Sequence, residues 1–134
     1  MSPLLEPLRL PPGADLRAAL QVALAARGAQ AAFVVSGIGS LRPARLRLAG
    51  AQAEFKVEGD SEILTLSGTL SPDGPHLHAS VSDAQGRVVG GHVLPGCVVR
   101  TTVELLVAWL DGWVFAREHD ADTGYAELVV RRID

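Results

Sequence analysis

The stretch His76-Leu77-His78-Ala79-Ser80-Val81-Ser82-Asp83-Ala84-Gln85-Gly86-Arg87-Val88-Val89-Gly90-Gly91-His92 decides the fold. Leu77, Ala79 and Val81 alternate with His76, His78, Ser80 and Ser82, which is the period of a half-buried strand. A return strand starts near Arg87. Between them, Asp83-Ala84-Gln85-Gly86-Arg87 suits a hairpin loop built on a type I turn and closed by a glycine in the left-handed region. That loop sets Asp83 against Arg87. Counting outward, Ser82 meets Val88, Ser80 meets Gly90 and His78 meets His92. Directly opposed Cβ atoms lie about 4.5–5.5 Å apart, and His76 sits two residues along the same face. Three of the chain's four histidines then converge, and three imidazoles can cap one face of a divalent cation while leaving positions open to water or substrate. Two other readings stay open. A two-residue turn at Gln85-Gly86 pairs His78 with Val93 and sends His92 to the opposite face. An HxH pair also serves as plain polar decoration of a solvated strand. Gly90 and Gly91 favour the site, because a strand glycine often marks close approach of a ligand or of backbone. They are expected to leave open space beside His92.

Working outward, most of the chain reads as short strands. Residues 1–12 are proline-rich and form an extended N-terminal segment; residues 13–134 form a single domain. Asp15 caps a helix running to about Arg27, with Leu16, Ala19, Leu20, Ala23 and Leu24 as its apolar stripe, Val22 widening it and Gly28 ending it. Ala31 to Ser36 is a continuous apolar run suited to a buried strand, and Gly37-Ile38-Gly39-Ser40 after it reads foremost as a turn, with two glycines lining a ligand pocket as the alternative. Pro43 to Leu48 is a further strand. Ala53, Phe55 and Val57 alternate with polar neighbours. Glu62 to Leu70 is a longer strand with Leu64, Leu66 and Leu70 inward, and Ser71-Pro72-Asp73-Gly74-Pro75 is a turn. Val98 to Leu110 opens with β-branched residues and reads as strand first, although its Leu105-to-Leu110 half also suits a helix. Val114 to Arg117 and Ala126 to Ile133 form a closing hairpin around Asp122-Thr123-Gly124. No internal repeat is evident. The expected class is α+β: a central, mostly antiparallel sheet of about seven or eight strands with one or two helices.

Composition narrows the function classes. The chain has 134 residues, 48% of them hydrophobic and 4% aromatic, enough for one domain with an aliphatic core. The net charge of −3 lacks the basic footprint that carries non-specific nucleic-acid binding. No uncharged apolar run reaches membrane-spanning length, and the N-terminus lacks a secretory pattern. Cys97 is the one cysteine, expected as a small buried hydrophobe. These features suggest a cytoplasmic protein.

The block Glu62-Ile63-Leu64-Thr65-Leu66-Ser67-Gly68-Thr69-Leu70-Ser71, continued by Gly74-Pro75-His76-Leu77-His78-Ala79-Ser80, by Gly86 to His92 and by Gly96-Cys97-Val98-Val99-Arg100-Thr101-Thr102-Val103-Glu104, resembles the plants-and-prokaryotes-conserved (PPC) domain family. Gly37-Ile38-Gly39-Ser40, Phe115-Ala116-Arg117 and Asp122-Thr123-Gly124 extend the likeness, which runs from about residue 8 to 133. The resemblance implies a central antiparallel sheet, a homotrimer, and a fold relationship to acetolactate decarboxylase, whose zinc is held by an HxH pair and a later histidine. His76, His78 and His92 match that pattern here. Plant members carry fused AT-hook segments that bind A/T-rich DNA. This chain has no Arg-Gly-Arg-Pro hook, so direct nucleic-acid binding is not expected.

Three function classes follow: a trimeric module binding zinc, another divalent metal or a small ligand; a metal-dependent small-molecule lyase; and a DNA-associated regulator, which the charge disfavours. A catalytic site needs an acid or base and an anion partner besides the metal ligands. Glu104, which interrupts an apolar run, and Arg117 are the candidates. The run Val103 to Leu110, apolar on both alternating faces, calls for cover on both sides. A second copy of the chain is the expected cover, with the histidine hairpin near the subunit boundary.

Overall fold

The computed structural model describes residues 4–133. One helix and ten strands follow in the order β1 (Leu4–Leu10), α1 (Leu16–Arg27), β2 (Ala32–Leu41), β3 (Ala44–Arg47), β4 (Phe55–Val57), β5 (Ser61–Leu70), β6 (His76–Asp83), β7 (Val88–Val93), β8 (Val99–Trp109), β9 (Trp113–His119) and β10 (Ala126–Arg132). Eight strands form an antiparallel sheet in the order β1-β8-β2-β5-β6-β7-β3-β4, and β9 and β10 form a separate ribbon. The α+β class, one helix and a mostly antiparallel sheet are as the alternation and turn signals indicate.

One face of the sheet builds the core. Leu16, Leu20 and Leu24 of α1 are buried with Leu66, Leu70, Leu77, Val81, Val103, Val107 and Trp109 in one hydrophobic cluster. Asp15 accepts the Ala18 amide at 2.9 Å, satisfying a donor that the first helical turn leaves unpaired, while its other carboxylate oxygen takes the Gly96 amide at 2.6 Å. The helix start is thereby tied to the β7–β8 loop. Gly28 ends the helix at φ +67°. Cys97 is fully buried beside the Arg45 backbone, and burial pushes its thiol pKa up.

Several local expectations are corrected. Leu4–Leu10, in the segment expected to be merely extended, pairs with β8 along its whole length. Val22 does not widen the helix stripe: it is 67% exposed, because its position faces away from the Leu16-Leu20-Leu24 seam. Val98 to Leu110 contains no helix, and β8 runs unbroken through Trp109 because it pairs with both β1 and β2. Leu64 points outward rather than into the core, because the β5–β6 register shifts between Ile63 and Thr65, and a bulge of this kind reverses the in–out alternation. Gly37-Ile38-Gly39-Ser40 is not a turn but part of β2. A Cβ on Gly39, at φ +149°, would run into the Thr102 carbonyl oxygen and the Val103 backbone, so this glycine permits close strand approach.

An unexpected correspondence links β2 and β5. Both have ten residues and the same order of buried and exposed positions. Each carries a glycine at its eighth position, Gly39 at φ +149° and Gly68 at φ +155°. Each is then followed by a hydroxyl residue and a leucine, Ser40-Leu41 and Thr69-Leu70. The next strands present Arg45-Leu46-Arg47 and His76-Leu77-His78, with the leucine buried each time.

Candidate metal centre

The histidine hairpin adopts the three-residue loop. Asp83 donates its amide to the Arg87 carbonyl at 2.8 Å, and the Gly86 amide reaches the Asp83 carbonyl at 3.0 Å. Gly86 sits at φ +80°. The Asp83 carboxylate accepts the Gln85 and Arg87 amides at 2.9 Å each and pairs with the Arg87 guanidinium. These contacts, the Arg87 amide foremost, hold its pKa below the ordinary carboxylate value. The register that follows is Ser82–Val88, Ser80–Gly90 and His78–His92. The two-residue turn is excluded.

Leu77, Ala79 and Val81 are buried, so His76 and His78 stand on the outer face. Ring centroids lie 5.1 Å apart for His76 and His78, 5.1 Å for His76 and His92, and 4.6 Å for His78 and His92. One potential ligand atom from each residue lies within 4.8 Å of the others. Ligands about 2.1 Å from a tetrahedral zinc lie roughly 3.4 Å apart, so side-chain rotations closing up to about 1.4 Å bring the set to bonding geometry. A metal ligand must be the neutral imidazole. Burial first, then the Arg117 guanidinium, the neighbouring histidines and Arg17, push the His76 pKa down to about 4. Burial, His78 and Arg47 lower that of His92. The donor set fits a divalent ion with three protein nitrogens and open positions.

Gly90 and Gly91 are not the open space expected beside His92. A Cβ on Gly91 would meet the Arg47 carbonyl oxygen at 2.5 Å, and one on Gly90 the Ala79 carbonyl oxygen at 3.1 Å. They let β7 lie close between β6 and β3. The consequence for the site is Arg47, which pairs directly with His92 across β3 and β7.

Arg117 stands at the cluster. The β9–β10 ribbon packs over the outer face through Phe115, whose ring meets Phe33 edge-on at 5.7 Å. Two residues on, the Arg117 guanidinium reaches Thr69 Oγ1 at 2.8 Å and His76 Nδ1 at 2.9 Å, while its backbone amide donates to Asp73. Arginine has only donors, so Nδ1 accepts and the neutral His76 ring carries its proton on Nε2. Glu104 is not at the cluster. It is exposed on β8, paired with Ile38 and Arg9, with β2 and β5 lying between its strand and β6. Arg47 and Thr69 were missed from the sequence. Their proximity depends on long-range strand order, and only the alternation of Arg45 and Arg47 about Leu46 hinted at an outward-facing pair.

Comparison with known proteins agrees with this architecture. Two proteins from Synechococcus strains, each described as bifunctional protein GlmU, are 46% and 45% identical over 127 residues, 95% of this chain. The chain spans only 20% of their length. A hypothetical protein from Salmonella enterica superposes with a TM-score of 0.93 at 38% identity, over 98% of this chain and 96% of that one. A metal-containing protein from Archaeoglobus fulgidus matches with a TM-score of 0.83 at 28% identity, over 96% and 95%. A plant- and prokaryote-conserved (PPC) protein from Pyrococcus horikoshii gives 0.77 at 25%, over 94% and 91%. Residues 7–111 match the Plants and Prokaryotes Conserved (PCC) domain, and the chain belongs to that family.

Proposed function

We propose that this chain is a homotrimeric PCC-domain module that binds a divalent metal ion, zinc foremost, through His76, His78 and His92. The observation that carries the reading is the convergence of three ligand atoms within 4.8 Å on a hairpin whose register is fixed by its own loop. The Archaeoglobus relative, described as metal-containing, supports it. Trimer formation is supported by the apolar outer face, where Phe33, Val35, Ile38 and Leu64 are each more than 40% exposed, an unusual concentration for a surface left in water. A lyase reading rests on Arg117, which touches His76. Glu104 joins such a site only if a neighbouring copy supplies it. Direct duplex binding is disfavoured by the net charge of −3. No helix among the described residues is long and apolar enough to cross a membrane, and we assign the protein to the cytoplasm.

The test is metal analysis after chelator treatment, dialysis against zinc and removal of excess. One ion per chain is expected for the native protein and a small fraction of that for His78→Ala and His92→Ala. Equal zinc content in all three proteins refutes the site. Light scattering tests the assembly, with about three times the 14.1 kDa chain mass expected.

A further inference from the structure

An open cavity of about 850 Å³ adjoins the histidines and includes His76 and His92 in its wall. Its charge is unusual for this chain. Of the twelve lysines and arginines, seven (Arg27, Arg42, Arg45, Lys56, Arg87, Arg100 and Arg131) form ion pairs with carboxylates among the described residues. Five do not, and three of those five, Arg17, Arg47 and Arg117, line this one cavity. All three are half-buried, so their charge is screened less than that of a fully solvated side chain. Asp73 and Glu127 also line the cavity, but neither comes within ion-pair distance of the arginines. Asp73 is engaged by the Arg117 backbone amide at 2.9 Å.

The three guanidinia are held differently. Arg17 is fixed in place by donating to the Pro75 carbonyl at 2.7 Å and the Val93 carbonyl at 3.4 Å. Arg117 leans on Thr69 and His76. Arg47 has no side-chain hydrogen bond or ion pair among the described residues, and its strand position places it beside His92. The histidine group is therefore flanked by a guanidinium on the His92 side and another on the His76 side. Arginine presents a planar fork of donors that matches the oxygens of carboxylate and phosphate.

We propose that this cavity binds a small oxyanion, the carboxylate or phosphate group of a small molecule, between Arg47 and Arg117, with Arg17 contributing positive field. The inference deepens the metal-site reading by naming the ligand class that sits beside the ion. It also couples the two. While Arg117 donates to Nδ1, His76 offers a metal no free lone pair, since its Nε2 carries the proton. An oxyanion that draws Arg117 away frees Nδ1. Anion and metal should each tighten the other's binding, and by linkage the factor is the same in both directions.

The experiment uses the 134-residue chain with two probes, inorganic phosphate and acetate, followed through the Nε–Hε resonances of the arginines. In chelator-treated protein, saturable shifts of Arg47 and Arg117 with a Kd of about 1 mM or tighter are expected for at least one probe, and the better probe separates phosphate from carboxylate recognition. Arg47→Gln should weaken binding by about tenfold or more, whereas Arg87→Gln at the exposed hairpin tip should leave it unchanged. Absence of saturation for both probes, or equal effects of the two substitutions, overturns the inference. Metal affinity is measured separately by chelator competition with and without the better anion. A several-fold gain that disappears in Arg117→Gln is expected. A metal affinity indifferent to the anion overturns the coupling. Failure to bind metal with anion binding intact instead overturns the metal reading alone.

Discussion

Gly68→Ala is the substitution that best separates backbone geometry from side-chain chemistry in this fold. Gly68 pairs with Leu77, between the Ser67–His78 and Thr69–His76 pairs. An added Cβ would run into the His76 carbonyl oxygen and stand 2.8 Å from Leu77 Cα and 2.9 Å from the His76 carbonyl carbon. Every obstacle is backbone, so relief requires β6 to retreat from β5 by roughly 1 Å to reach ordinary contact. The residue also sits at φ +155°, which costs a side-chain-bearing residue about 1–3 kcal/mol. Overpacking adds about 1–3 kcal/mol, and together these take roughly 2–6 kcal/mol from a stability of about 5–15 kcal/mol. Three control variants dissect the two causes. Gly91→Ala has the steric conflict, with the Arg47 carbonyl at 2.5 Å, but no positive φ; Gly112→Ala has φ +83° with nothing within 4 Å; Gly59→Ala has neither. Urea midpoints at constant m-value should rank Gly59→Ala at or above native, Gly112→Ala and Gly91→Ala lower, and Gly68→Ala lowest. A Gly68→Ala midpoint equal to that of Gly59→Ala refutes the reasoning. Because Gly68 lies between the residues paired with His76 and His78, a retreat of β6 displaces both histidines, and the same variant should also weaken metal binding.

Further outcomes follow from single residues. His76 should titrate near pH 4 in NMR; since its folded pKa lies below the ordinary 6.5, the unfolded chain binds more protons between those values. Its contribution is therefore fully present above pH 6.5 and lost as pH falls toward 4, so His76→Gln should flatten the stability profile in that window, and a midpoint at or above 6.5 contradicts the placement. Leu20→Ala, at a fully buried position, should cost roughly 2–5 kcal/mol, whereas Val22→Lys should stay within about 0.5 kcal/mol of native; equal losses by thermal melts would mean the helix is turned differently. Ile38→Asp places a charge on the apolar outer face and should shift light-scattering mass from trimer to monomer, while an unchanged trimer would move the interface off that face.

What the residues disclose depends on the range of the interaction. The helix, from Asp15 to Gly28, and the histidine hairpin are set by neighbours within a few positions: a cap, a periodic stripe, a turn with one required glycine. Both were legible. The errors fall where a distant strand decides. Leu64 turns outward because of a bulge against β6, and Gly39 looks like a turn residue until β8 lies against it. The Leu105-to-Leu110 half of the Val98-to-Leu110 run has no local mark against helix, and the pairing of β8 with β1 and β2 on its two edges settles it. The same limit governs the site. The three histidines belong to one hairpin and could be assembled on paper, but Arg47 reaches them only because β3 pairs with β7. Glu104, chosen because a carboxylate inside an apolar run needs a reason, has a simpler one: its side of β8 is exposed.

The histidines converge for reasons that involve no ion. Leu77 and Val81 are 1% and 0% exposed, and burying side chains of this size is worth about 1.5–3 kcal/mol each. A one-residue slip of β6 would turn both to solvent, so the core resists slippage by roughly 3–6 kcal/mol before any hydrogen bond is counted. The loop reaches the same answer separately, through Gly86 at φ +80° and the two amides held by Asp83. Local turn chemistry and long-range burial agree on one register, and that register puts His78 against His92. The fold thus gathers the ligands first, and an entering ion need not order them. Chelation should accordingly leave far-UV circular dichroism and amide dispersion unchanged, and lower the unfolding free energy only by the mass-action amount, RT ln(1 + [L]/Kd). A chelated protein that loses its sheet signal would reverse this order of cause, making the ion a builder of the hairpin rather than its guest.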